Sequence, residues 1–74
     1  MKVHTNKTAG LIIIDDLEDN SVVEVRDPKG GLIHHLFAVT PSFTLDIERW
    51  IDGWYELIAI NNRKSEVVKF LVSH

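Results

Sequence analysis

Ser21-Val22-Val23-Glu24-Val25-Arg26, followed by Asp27-Pro28-Lys29-Gly30, decides the fold of this chain. Val23 and Val25 fall on one side of an extended backbone and Glu24 and Arg26 on the other, the period of a half-buried strand. The next four residues set a turn by their own chemistry. Asp27 caps it, Pro28 presets φ at the second position, and Gly30 accepts positive φ. Leu32 to Val39 then returns as the partner strand, with Ile33, His35, Phe37 and Val39 sharing one parity. Strand, turn and returning strand make a hairpin.

Working outward, the same pattern recurs. Leu11-Ile12-Ile13-Ile14 follows Gly10 and ends at Asp15-Asp16, which predicts a short strand buried on both faces. Phe43, Leu45 and Ile47 alternate with Thr44 and Asp46. After Gly53, Tyr55, Leu57 and Ala59 share a parity up to Asn61-Asn62, a pair suited to a tight hairpin. Val68, Phe70 and Val72 line one face of a closing strand, leaving Lys69 on the solvent side. Short strands with turns every 8 to 12 residues predict an all-β domain, a small immunoglobulin-like β-sandwich of six to seven antiparallel strands over residues 1–74, with 1–9 either a flexible lead-in or an edge strand. A competing pattern places Ile47, Trp50, Ile51, Trp54, Tyr55 and Ile58 at helical spacing between Leu45 and Ile60. Gly53 weighs against that helix, costing about 1 kcal/mol relative to alanine in a helix interior.

Composition bounds the rest. The chain has 74 residues and no cysteine, so one small domain must hold together by side-chain packing without disulfide or thiolate-metal support. Its 45% hydrophobic fraction is ordinary for a globular domain. The net charge of −3 comes from 11 acidic and 8 basic residues, the basic ones scattered singly, which argues against nucleic acid as a partner. Leu11 to Ile14 is too short to cross a bilayer or to form a signal-peptide core, so no membrane span is expected.

No spacing demands catalysis, a metal or a cofactor. His34 and His35 are adjacent, so on a strand they face opposite ways and cannot converge on one ion; His4 and His74 sit near the ends of the chain. Asp15, Asp16, Glu18 and Asp19 lack the alternation and glycine of a calcium loop and read as a solvated turn. Ser21, Ser42, Ser65 and Ser73 have no nucleophile elbow around them. Among the aromatics, Tyr55 and one tryptophan belong to the core, which leaves Trp54 as a surface anchor for a partner.

Three stretches together resemble the C-terminal sorting domain of type IX secretion cargo from Bacteroidetes. They are Val23 to Ile33 with its Asp27-x-x-Gly30 turn, Leu45-Asp46-Ile47 with Trp50 and then Gly53-Trp54-Tyr55-Glu56-Leu57, and the closing strand Val67 to Val72. The resemblance implies an immunoglobulin-like sandwich in which Asp27, Gly30, Gly53 and Tyr55 serve turns and packing. It further implies a non-catalytic protein that is secreted, at the cell surface or periplasmic, monomeric as an isolated domain, and read by outer-membrane export machinery through a surface that includes Lys69. A related group of small secreted Bacteroidetes domains shares the Asp-x-x-Gly hairpin and the Gly-x-Tyr strand, and implies instead a stand-alone binding or adhesion module.

Overall fold

The computed structural model describes residues 1–6, 8–18, 20–38, 40–61 and 64–74. Val39, Asp19 and Asn62, placed by the sequence on the returning strand, in the acidic turn and in the last hairpin, lie outside the described residues. The described residues form seven strands: β1 (Lys2–Asn6), β2 (Leu11–Asp15), β3 (Ser21–Arg26), β4 (Leu32–Ala38), β5 (Phe43–Asp46), β6 (Gly53–Ile60) and β7 (Ser65–Val72). No described residue is helical, and the region from Leu45 to Ile60 is strand, turn and strand.

The strands make two antiparallel sheets, ordered β1-β2-β5 and β4-β3-β6-β7. The chain crosses between sheets after β2, returns after β4 and crosses again after β5. Hence β5 lies beside β2, and β6 beside β3. In immunoglobulin lettering this is ABE against C′CFG, the expected sandwich.

The inward residues of both sheets supply the core. Ile12 and Ile14 come from the first sheet; Val23, Val25, Tyr55, Leu57, Ala59, Phe70 and Val72 come from the second. Register explains the match. Val23 lies between Leu36 and Ala59, Val25 between His34 and Leu57, and Tyr55 opposite Phe70, so each apolar parity set falls in one row of the pleat. Each fully buried aliphatic side chain contributes about 1.5–3 kcal/mol. Leu17 and Ile47 close the core from loops. The one buried polar residue among those described, Ser21, donates its hydroxyl to the Glu18 carbonyl at 2.7 Å.

Two expectations change. Leu11 and Ile13 are only half-buried, because they face the outside of the three-stranded sheet, away from the second sheet. On β4 the apolar parity of Ile33 and Phe37 faces solvent, and His34 and Leu36 turn inward instead. Pairing fixes this, since inward Val25 lies opposite His34; the register then shifts, Arg26 pairing with Leu32, so Ile33 is a bulge on β4 and Leu32 faces outward as well. The segment 1–9 includes a paired edge strand, β1.

Candidate functional site

The hairpin turn is built as its residues require. The Gly30 N–H donates to the Asp27 carbonyl at 2.9 Å, the Asp27 N–H donates to the Gly31 carbonyl at 2.8 Å, and Gly30 has φ +88°. One carboxylate oxygen of Asp27 accepts from the Lys29 and Gly31 amides at 2.9 and 2.8 Å. The turn leans on the start of β6. A Cβ added to Gly53, which has φ +149°, would lie 2.7 Å from Pro28 Cγ. Two residues on, the Tyr55 hydroxyl donates to the Ile51 carbonyl at 2.7 Å, tying β6 to its incoming loop in the manner of a tyrosine corner. Burial is the main reason the Tyr55 phenol titrates above its ordinary value, with the Asp27 and Asp52 carboxylates adding to it. Asp27, Gly30, Gly53 and Tyr55 therefore form one structural neighbourhood. Trp50 covers it, with ring centroids 5.0 Å from Tyr55, 6.4 Å from Phe70 and 5.6 Å from His34.

Trp54 and Lys69 lie elsewhere, on the outward face of the four-stranded sheet. Trp54 is 60% exposed and pairs in register with Leu71, while Lys69 pairs with Glu56. Successive rows of that face can be read from the register. Arg26, Glu56 and Lys69 form a charged row beside Trp54 and Leu71; His35, Glu24, Ile58 and Val67 form the next; Phe37, Val22 and Ile60 form an apolar row. Direct neighbours in such rows have Cβ atoms about 4.5–5.5 Å apart, so each row is a continuous surface. Glu24 sits between two basic side chains, with Arg26 Nη2 at 3.6 Å and His35 Nε2 at 3.9 Å.

Among the described residues, eight large hydrophobic side chains are left exposed: Leu32, Ile33, Phe37, Ile51, Trp54, Ile60, Val67 and Leu71. All but Ile51 belong to this one face, Leu32 through its pairing with Arg26. Scattered exposed apolar residues are normal, whereas a contiguous patch rimmed by charge marks an interaction surface. The sequence reading found Trp54 and Lys69 but missed Phe37, Ile60, Val67 and Leu71. The signal was there: β6 and β7 carry apolar residues on both parities, Ile58 and Ile60 against Leu57 and Ala59, and Val67 and Leu71 against Val68 and Phe70.

The polar groups weighed for chemistry are dispersed. His34 stacks inward on Trp50 while His35 is exposed, so the two point apart as their adjacency requires. Asp16 pairs with Lys2 at 3.5 Å, and Glu18 pairs with Lys64 at 3.1 Å and accepts from Asn61 Nδ2, so these two acidic side chains are engaged by neighbouring strands and loops. At one end of the sandwich His74 Nδ1 lies 2.6 Å from Asp52 Oδ1, and that hydrogen bond is the main cause of its raised pKa. The recess beside it, lined by Thr5, Gly10, Ile47, Val72 and His74 among others, holds ≈ 20 Å³, room for about one water. Among the described residues no helix is long and apolar enough to cross a membrane.

No protein-family model matches the chain, and the search of curated proteins returned no significant match.

Proposed function

We propose that this chain is a non-catalytic recognition module, a C-terminal sorting domain read by outer-membrane export machinery, and that its partner docks on the outward face of β3, β6 and β7. One observation carries the reading: Trp54, Ile60, Val67 and Leu71 remain exposed on a single sheet face, beside the charged row of Arg26, Glu56 and Lys69. Exposed tryptophan and arginine beside aliphatic residues are the groups that most often dominate a protein interface. The resemblance to type IX sorting domains supplies the identity of the partner, and its three stretches coincide with the β3–β4 hairpin, the β5–β6 passage and β7.

The test fuses the chain behind a reporter that carries an export signal, in a type IX-competent host. The intact fusion is expected at the cell surface or in the medium. A Trp54→Ser, Leu71→Ser variant is expected to remain periplasmic while its purified domain keeps a β circular dichroism spectrum and a cooperative unfolding transition. An intact, folded fusion that stays in the periplasm would overturn sorting and leave a stand-alone binding module, for which the same face is the first surface to vary.

A further inference from the structure

The connection from β5 to β6, Ile47 to Asp52, carries Trp50 over the core and is tied down by its backbone. The Ile47 N–H donates to the Gly10 carbonyl at 2.9 Å, the Trp50 N–H donates to the Ile47 carbonyl at 3.1 Å, and the Ile51 carbonyl accepts the Tyr55 hydroxyl. His74, two residues past the end of β7, reaches both ends of this connection. Its backbone N–H and its Nδ1 meet Asp52 Oδ1 at 3.1 and 2.6 Å, and its Nε2 lies 3.3 Å from the Ile47 carbonyl oxygen. Both ring nitrogens therefore face acceptors. A neutral imidazole has one N–H and one lone pair, so in either tautomer one of these contacts sets a lone pair against an oxygen; only the imidazolium donates to both.

We propose that His74 is a pH-operated latch: as imidazolium it staples the two ends of the β5–β6 connection to the end of β7, and on losing its proton it releases Ile47 and loosens the segment that carries Trp50. Geometry picks the bond that breaks. Nδ1 keeps its proton against the carboxylate at 2.6 Å, so the lone pair falls on Nε2 and the Ile47 carbonyl loses one of its two donors. The charges around the ring favour the latched form. Asp52 and Glu48 come from the connection itself, where Arg49 is exposed; Asp46, at the end of β5, accepts the Glu48 N–H at 2.9 Å. The described residues beside the ring from the β1–β2 turn, Thr8, Ala9 and Gly10, are uncharged, as are Val72 and Ser73. Tyr55, the next titratable group behind Asp52, ionises above its ordinary range and takes no part. Where residue 74 ends the chain, its α-carboxylate adds to the same field and stays ionised throughout the range in which the ring titrates. His74 itself titrates above its ordinary value, chiefly through Asp52, so the latch is closed at mildly acidic pH and opens as pH rises through that raised value. Gly53 and Trp54 follow Asp52 directly, which sets the latch at one end of the docking face without resting on the export reading.

The experiment is an NMR titration of the full chain from about pH 5 to about pH 9, following the histidine rings together with the backbone amides and the indole N–H groups. His34 stacks on Trp50 at 5.6 Å and is the other imidazole able to move the Trp50 signals, so the two must be told apart. The amides of residues 48–52 are expected to shift with the midpoint of the His74 ring, and their order parameters to fall across it from about 0.85 toward 0.6. His74→Gln is expected to hold this segment at its high-pH state throughout, Asp52→Asn to lower the His74 midpoint toward the ordinary value, and His34→Gln to leave the segment's transition in place. Unchanged dispersion of the β3 and β6 amides checks the fold of each variant. A segment that follows the His34 midpoint would overturn the inference, as would order parameters that stay level while His74 titrates, or a His74→Gln segment as ordered as wild type near pH 5.5. Loss of export in the Trp54→Ser, Leu71→Ser variant bears on the docking face only and leaves this result untouched.

Discussion

Gly53→Ala is the substitution on which the architecture makes its sharpest demand. At φ +149° the backbone of Gly53 lies where a side chain is disfavoured, and an added Cβ would sit 2.7 Å from Pro28 Cγ and 3.2 Å from Pro28 Cβ. The conformational part costs about 1–3 kcal/mol. The steric part costs about 1–2 kcal/mol, at the lower end of overpacking penalties because the turn holding Pro28 is exposed and can move a little. A domain of 74 residues has about 4–11 kcal/mol to lose, so a total near 3 kcal/mol is a large share of its stability. Urea unfolding of four proteins separates the two parts: wild type, Gly53→Ala, Pro28→Gly and the double variant. Pro28→Gly removes both ring atoms that the new methyl would meet, so Gly53→Ala should cost about 1–2 kcal/mol less in that background. A Gly53→Ala cost below about 0.5 kcal/mol, or the same cost in both backgrounds, would refute the idea that the turn rests on the start of β6.

Three further outcomes follow from the same contacts. Gly30→Val should lower stability by about 1–2 kcal/mol through its φ of +88° alone, since a Cβ there meets nothing within 4 Å; a denaturation midpoint equal to wild type would show that the turn relaxes freely. Tyr55→Phe should cost about 0.5–1.5 kcal/mol by removing the bond to the Ile51 carbonyl, with no change in the β circular dichroism spectrum. His74 has a raised folded-state pKa through Asp52, so its contribution is fully present below the unfolded value of about 6.5 and is lost as pH climbs through the folded value. The midpoint gap between wild type and His74→Gln should accordingly be open near pH 5.5 and narrow as pH rises above the unfolded value, and a gap of constant width would exclude the imidazolium as its source.

Much of this fold was legible because parity and turn chemistry agree. β3, β5, β6 and β7 show the apolar alternation the sequence announces, and Asp27-Pro28-Lys29-Gly30 turns where its residues demand. The failure on β4 has a physical cause. Its two parities, Ile33 and Phe37 against Leu32 and Leu36, are equally apolar, so alternation cannot say which one faces in; the pairing of Val25 with His34 decides it, and a bulge at Ile33, which leaves no mark in hydrophobic period, turns Leu32 outward as well. Leu17 and Ser21 were missed for a related reason. Leu17 is buried by the path of a loop rather than by a repeat, whereas Ser21 shares the inward parity of Val23 and Val25 on β3 but is polar, so a reading of apolar period passes over it. Trp54 and Lys69 were legible as outward residues, but the patch around them was not, because it joins β3, β6 and β7 across register that one strand's sequence does not contain.

The separation of faces on β6 and β7 gives the export experiment its meaning. On β6, Tyr55, Leu57 and Ala59 are buried, while Trp54, Glu56, Ile58 and Ile60 look outward; on β7, Phe70 and Val72 are buried while Val67, Lys69 and Leu71 are exposed. Truncating the chain before Phe70 would remove two core side chains together with the end of the strand paired to Gly53, Trp54 and Tyr55, so lost export could come from unfolding alone. Surface substitutions away from caps, turns and the core usually change stability by less than about 0.5 kcal/mol. Lys69→Glu is the mildest of them: it reverses one charge in the row of Arg26 and Glu56 and leaves every buried contact in place. A fusion carrying Lys69→Glu that is exported normally, beside a Trp54→Ser, Leu71→Ser fusion that is not, would assign recognition to the Trp54 and Leu71 pair; failure of both with the fold intact would extend the contact across the charged row.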